Sequence, residues 1–229
     1  MVELKVLSDA EVEAIHQATL RVLGETGIIL TQDEGRHRLA GAGATVDGQR
    51  VLLPADLVER CVGQCPQQVT IRGRSGEAMI LGDGTLHWHN LGGASHVYEP
   101  RTDERRPATL QDVRDSTRIL DALDGVTNIT PFFTPQDVPG PMLSLAMYRQ
   151  AIPNTTKPLQ GPGTQTAAEV RYTARMASVI GPPAEVLSLG ISPISPLFFP
   201  DDVVEAMMET ARLDIPLGPL PCPTAGATA

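Results

Sequence analysis

Aromatic residues are scarce in this chain: one Trp, three Tyr and four Phe, 3% of 229 residues. Positive charge is also short, with 18 Lys and Arg against 27 Asp and Glu, a net charge of −9. A nucleic-acid surface needs a basic face and stacking rings, so nucleic acid is excluded as the expected partner. No apolar run reaches 18 residues, so no membrane span is expected. The start, Met1-Val2-Glu3-Leu4-Lys5, has no basic stretch followed by an apolar one and does not read as a secretory signal. Cysteine is limited to Cys61, Cys65 and Cys222, an odd count without a framework spacing. That usage suits a reducing, cytoplasmic setting. Apolar residues make up 41%, enough for a sizeable core.

Ser8-Asp9-Ala10-Glu11 is a capping-box pattern, and Val12, Ile15, Thr19, Leu20 and Leu23 follow at helical spacing. A short strand at Gly27–Leu30 precedes a helix over 32–42. Another strand at Arg50–Leu53 precedes a helix that Pro54 opens and Pro66 closes. Cys61 and Cys65 lie four apart on one side of that helix and read as buried small hydrophobes. Four β segments follow: Val69–Ile71, Ala78–Leu81, Leu86–His89 and His96–Tyr98, with Asp83-Gly84 as a hairpin turn. His87 and His89 fall on one strand face, but no acidic or Cys ligand completes a zinc spacing, so no metal site is expected.

From Thr109-Leu110-Gln111-Asp112, a second capping signal, the chain alternates helices with apolar strands. The expected strands are Asn128–Pro131, Lys157–Gln160, Val186–Ile191 and Ile215–Leu220; the expected helices run over 141–152, 165–180 and 200–212. This is the βαβ rhythm of a parallel sheet. Only Thr224–Ala229 follow the last strand, too few residues for the helix that would cover it. The expected fold is therefore α/β. An N-terminal α+β region over residues 1–108 is followed, over 109–229, by the first half of a TIM-type (β/α)8 barrel truncated after its fourth strand. Such a piece is expected to be marginal alone or to form a homo-oligomer.

Several stretches, in order, resemble the trimethylamine methyltransferase (MttB-like) family of corrinoid-dependent methylamine and betaine demethylases. They are Leu7–His16 with Val22–Gly27, Gly92-Gly93-Ala94, Arg105–Thr109, Pro135–Pro139, Asn154–Pro158, Pro193–Leu197 and Pro223–Thr228. The resemblance implies transfer of a methyl group from trimethylamine, or from a quaternary amine such as glycine betaine, to the Co(I) of a corrinoid. It implies that a partner corrinoid protein carries that corrinoid and that this chain binds no cofactor itself. A truncated, non-catalytic piece acting by association, or a barrel enzyme of another class, are the alternatives.

A methylated nitrogen cation favours aromatic faces and carboxylates, and sites in barrels lie beyond the C-terminal strand ends. The substrate-binding candidates are thus Phe132, Phe133, Gln136 and Asp137 after the first strand and Gln160 after the second, in the segment that Gly161 and Pro162 continue. Ser192 and Ser195 follow the third strand, and Pro221, Cys222 and Pro223 the fourth. Gly92, Gly93, Ser95 and His96, in a Gly-rich turn similar to that of the family, are candidates for contact with substrate or corrinoid.

Overall fold

The computed structural model of the protein describes residues 5–161 and 163–219. Pro162 and the segment holding Pro221, Cys222 and Pro223 lie outside the described residues. Among the described residues the chain divides into two compact units, one made of residues up to 66 together with 193–204, the other of 67–192 together with 205–219. No helix among the described residues is long and apolar enough to cross a membrane.

In the first unit, helix α1 (Asp9–Arg21) starts as its sequence dictates. The Glu11 amide donates to Ser8 Oγ at 3.3 Å and the Ser8 amide donates back to Glu11 Oε2 at 2.7 Å, satisfying two amides that the first turn leaves without helical partners. Of its apolar positions Leu20 is buried, whereas Val12 and Ile15 are exposed. A π-turn over Val22–Thr26 ends at Gly27, whose φ is +72°. A Cβ there would sit 2.3 Å from the Val51 carbonyl oxygen, so only glycine fits. Strand β1 (Ile28–Leu30), helix α2 (Asp33–Ala42), strands β2 (Thr45–Asp47) and β3 (Arg50–Leu52) and helix α3 (Ala55–Gln64) follow. β1 pairs antiparallel with β3 on one side and parallel with β10 (Phe198–Phe199) on the other, in the order β10-β1-β3-β2.

In the second unit, β4 (Val69–Arg72) and β5 (Ala78–Leu81) form an antiparallel hairpin, as do β6 (His96–Tyr98) and β7 (Arg105–Pro107). Asp83-Gly84 does not join two paired strands: Ala78–Leu81 pairs with the segment before it, and Thr85 closes the turn on Asp83 by a 2.9 Å amide bond. Helices α4 (Leu110–Ala122), α5 (Leu143–Ala151) and α6 (Ala167–Ala177) pack in sequence, burying Val113, Tyr148, Val170 and Ala177 completely. Strand β8 (Leu159–Gln160), the single-turn α7 (Pro183–Val186), β9 (Leu187–Ile191), α8 (Asp201–Arg212) and β11 (Leu217–Pro219) complete the order. β8, β9 and β11 form a parallel sheet in the order β11-β9-β8, and Ile129 adds a parallel bridge to Leu159. β9 is the central strand of this parallel sheet: Leu187, Leu189, Gly190 and Ile191 are buried, and the one polar residue, Ser188, is half-buried.

The fold is α/β with several sheets, but the expected half of a (β/α)8 barrel is not what forms. The first sheet mixes parallel and antiparallel neighbours, two further sheets are isolated hairpins, and no strand pairing closes a cylinder among the described residues. Hydrophobic periodicity reports whether a segment is strand or helix. It carries no information about which strand lies beside which, and here β1 takes a neighbour almost 170 residues away.

Candidate functional site

The site begins with an extended segment that pairs without being a regular strand. Residues 88–94 run parallel to 127–133, with bridges between His89 and Asn128 and between Ala94 and Phe133. Between the bridges Asn90 replaces the missing ladder: its Nδ2 donates to the Thr130 carbonyl at 2.7 Å and its Oδ1 accepts the Thr130 amide at 3.1 Å. Gly92 passes so close that a Cβ would meet the Pro131 carbonyl oxygen at 3.0 Å. Gly93, at φ +99°, turns its amide onto the Phe132 carbonyl at 3.0 Å.

Across the parallel array the residues form rows. Ile129, Leu159 and Leu187 share one row and are buried to 2% exposure or less. One position on, Gln160 pairs with Ser188, and the Thr130 hydroxyl donates to Gln160 Oε1 at 3.3 Å. Successive strand residues point to opposite faces. The apolar row thus supplies core, and the polar row lies on the other face. On that face a cavity of about 250 Å³ is lined by His87, His89, Asn128, Gln160 and Ser188, with Met79 and Leu81 as apolar walls. Asn128 is 7% exposed, and its Oδ1 and the Nδ1 of His87 are buried without a hydrogen-bond partner. His87 Nε2 lies 2.9 Å from the Thr85 hydroxyl and 3.0 Å from the Ile80 carbonyl, which can only accept, so this nitrogen is the one that donates.

A second cavity of about 280 Å³ shares Met79 and His87 and is lined by Glu77, Asp121, Asp124 and Lys157. Two of its charges are committed to the fold. Asp121 Oδ1 accepts the Thr155 hydroxyl and the Thr156 amide, both at 2.8 Å. Burial pushes its pKa up, but these hydrogen bonds outweigh burial and hold it below the ordinary value. Lys157 Nζ donates to the Leu120 and Leu123 carbonyls at the end of α4, at 3.2 and 2.5 Å. The stretch Asn154–Pro158 is thereby explained as structure. Among the described residues no group of three or more His, Cys, Asp and Glu side chains is placed to hold a metal ion.

Most of the residues singled out from the sequence come together in one knot. Phe132 and Phe133 pack edge to face, with centroids 4.8 Å apart. Ser95 accepts the Ala108 amide through its carbonyl at 3.0 Å and bonds His96 Nδ1 through its hydroxyl at 2.9 Å. The Gln136 amide donates to the Ala108 carbonyl at 2.7 Å, and its Nε2 to the Thr134 carbonyl at 2.8 Å. Asp137 Oδ1 accepts the Leu110 amide at 3.0 Å, a cap on the first turn of α4. Gln160 alone of the candidates lines the 250 Å³ cavity. Ser192 is exposed beyond β9, and Ser195, also exposed, belongs to the other unit. Sequence reasoning passed over Asn128 and Ser188. The signal was available: each is a polar residue one position from a fully buried apolar one in a short strand.

A family model described as trimethylamine methyltransferase (MTTB) matches residues 1–229. A trimethylamine methyltransferase of Desulfitobacterium hafniense is 30% identical over 230 residues, covering 96% of this chain and 46% of that protein. A glycine betaine methyltransferase of the same species is 27% identical over 219 residues, covering 90% of this chain and 44% of that protein. A proline betaine:corrinoid methyltransferase of Eubacterium limosum is 27% identical over 133 residues, covering 52% of this chain and 24% of that protein. The chain spans about half the length, or less, of these relatives. With a match along its whole sequence, it belongs to the trimethylamine methyltransferase (MTTB) family.

Proposed function

We propose that this chain is part of a methyltransferase that takes a methyl group from a tertiary or quaternary methylated amine and passes it to a corrinoid on a separate protein. The observation that carries this reading is the family match over residues 1–229. The names of the relatives give the substrate class, trimethylamine and betaines, and one of them names corrinoid as acceptor.

The leaving group in such a reaction is a neutral amine, so the reaction demands a very strong nucleophile, which reduced corrinoid cobalt supplies. What remains for the protein is to bind the cation, aim one methyl and keep water out. Orientation of this kind lowers barriers by several kcal/mol, up to about 7–11 in ideal cases. The 250 Å³ cavity fits a small amine, and it is too small to enclose a corrinoid. In this reading Gln160, Asn128 and Ser188 offer neutral polar contacts, and the apolar walls exclude water. Phe132 and Phe133 lie outside the lining of this cavity and are assigned, as an edge-to-face pair, to the approach of the cation, where a ring contact is worth about 0.5–2 kcal/mol. Gln136 and Ser192 are assigned to the polar end of the substrate, whereas the Asp137 carboxylate is taken up by the Leu110 amide. Gly92, Gly93, Ser95 and His96 are assigned to the side from which the partner's corrinoid approaches.

The test uses the protein at its natural length. Cob(I)alamin is offered with trimethylamine, glycine betaine and other betaines in turn, and methylcobalamin is followed by absorbance. Formation with one of them supports the proposal; folded protein that turns over none contradicts it.

A further inference from the structure

Cys61 and Cys65 are both exposed. Free cysteine is among the most buried residue types, and packing does not explain two of them on one face of a helix end. Cys61 lies in the last turn of α3. Cys65 is its C-cap, extended at φ −64° and ψ 138°. The Cys65 amide bonds the Val62 carbonyl three residues back at 3.0 Å, so the turn is already wound tighter than an α-helix. Cys65 Sγ folds back to 3.6 Å from the Cys61 carbonyl oxygen. Every residue from Cys61 to Gln68 is exposed, and a Cβ added at Gly63 would meet nothing within 4 Å. The turn that holds the two thiols has no tertiary packing to break if it rearranges.

We propose that Cys61 and Cys65 are a dithiol modification site that closes to an intrachain disulfide by exchange with small-molecule disulfides. Helical neighbours four apart have Cβ atoms about 5–6 Å apart, and a disulfide needs roughly 3.5–4.5 Å. The last turn must therefore shift by about 1–2 Å, and its exposure permits that. In the exchange one Cys thiolate attacks the small disulfide, forms a mixed disulfide and expels one thiolate. The second Cys thiolate attacks the mixed disulfide at the protein sulfur and expels the other. The chain loses two electrons and two protons, and the small disulfide is reduced to two thiols. The ring is small and strained, which makes it readily reducible and the modification reversible. Closure opens the last turn of α3, whose C-terminal contacts the two residues provide.

The test incubates the protein with oxidised glutathione, alkylates the remaining thiols and reads intact and peptide masses. The chain has three cysteines. Closure lowers the alkylated count from three to one, makes the peptide spanning both residues lighter by two hydrogens, and reverses with dithiothreitol. Cys222→Ser leaves closure intact. Cys61→Ser and Cys65→Ser strand the intermediate, so their glutathione adduct rises about tenfold or more over wild type, because a neighbouring thiol acts at a millimolar or higher effective concentration. Three thiols that stay alkylatable, two separate adducts on the wild type, or a bridge to Cys222 would each overturn the proposal.

Discussion

Arg106 holds Asp112 in a parallel two-bond grip, Nη1 to Oδ2 and Nη2 to Oδ1, both at 2.7 Å. The same arginine donates through Nε to Glu99, across the β6–β7 hairpin. Asp112 in turn accepts the amide and the hydroxyl of Thr109 at 2.8 and 2.7 Å, which starts α4. One guanidinium thus joins a hairpin to a helix start. The segment it fixes is the one whose Ala108 bonds both Ser95 and Gln136.

Lysine cannot reproduce that fork. Arg106→Lys is expected to lower the urea midpoint without changing the slope, although the charge is kept. Asp112→Ala, which removes the carboxylate from both Arg106 and Thr109, is expected to cost about 1–2 kcal/mol, discounted for partial solvent access. Equal midpoints for wild type and Arg106→Lys would show that charge alone suffices.

Acid should weaken the second unit. The Arg106 guanidinium holds the Asp112 carboxyl well below the usual carboxylate range, and Asp121 is also held below its ordinary value. A depressed folded pKa contributes stability that is fully present above the unfolded value of about 3.9 and is lost as pH falls below it toward the folded value. Urea unfolding at pH 6 and pH 3 is expected to show the loss. The double variant Asp112→Asn, Asp121→Asn is expected to flatten the pH dependence while lowering stability at pH 6.

Two glycines rank by what surrounds them. At Gly161 a Cβ would meet the Leu189 Cδ2 end at 2.5 Å, a side chain that can turn away. Gly161→Ala should cost about 1–3 kcal/mol, as overpacking does. At Gly73 it would meet the Thr156 carbonyl oxygen at 2.3 Å and Pro158 N at 2.8 Å, both backbone. Gly73→Ala should cost more and lower the yield of folded protein. The reverse order in thermal unfolding would contradict this packing.

Local signals in the sequence were reliable where one turn decides them. The Ser8–Glu11 and Thr109–Asp112 boxes start α1 and α4, and the apolar run at 187–191 is a buried strand. Pairing was not legible. β10 is two residues long and lies beside β1 through the fold rather than through any pattern. Exposure at helix ends was not legible either: Cys61 and Cys65, expected in the core, face solvent. Gln160, which ends a strand, lines the cavity. Asp137 was read for its carboxylate, whose structural role is to bond the Leu110 amide.

That contrast separates binding from scaffolding. Gln160→Ala should raise the KM for the amine with little change in the melting temperature. Asp137→Asn should lower the melting temperature with little change in KM. An unchanged KM for Gln160→Ala would remove the cavity from the proposed site.

The most direct measurement follows the methyl group itself. The natural-length protein is given a corrinoid acceptor and trimethylamine or glycine betaine carrying ¹³C in its N-methyl groups, and the cobalt-bound carbon is read by NMR. Labelled methyl is expected on cobalt from at least one of these amines, with the amine product one methyl short. Labelled amine recovered unchanged from folded protein with reduced corrinoid present would contradict that expectation.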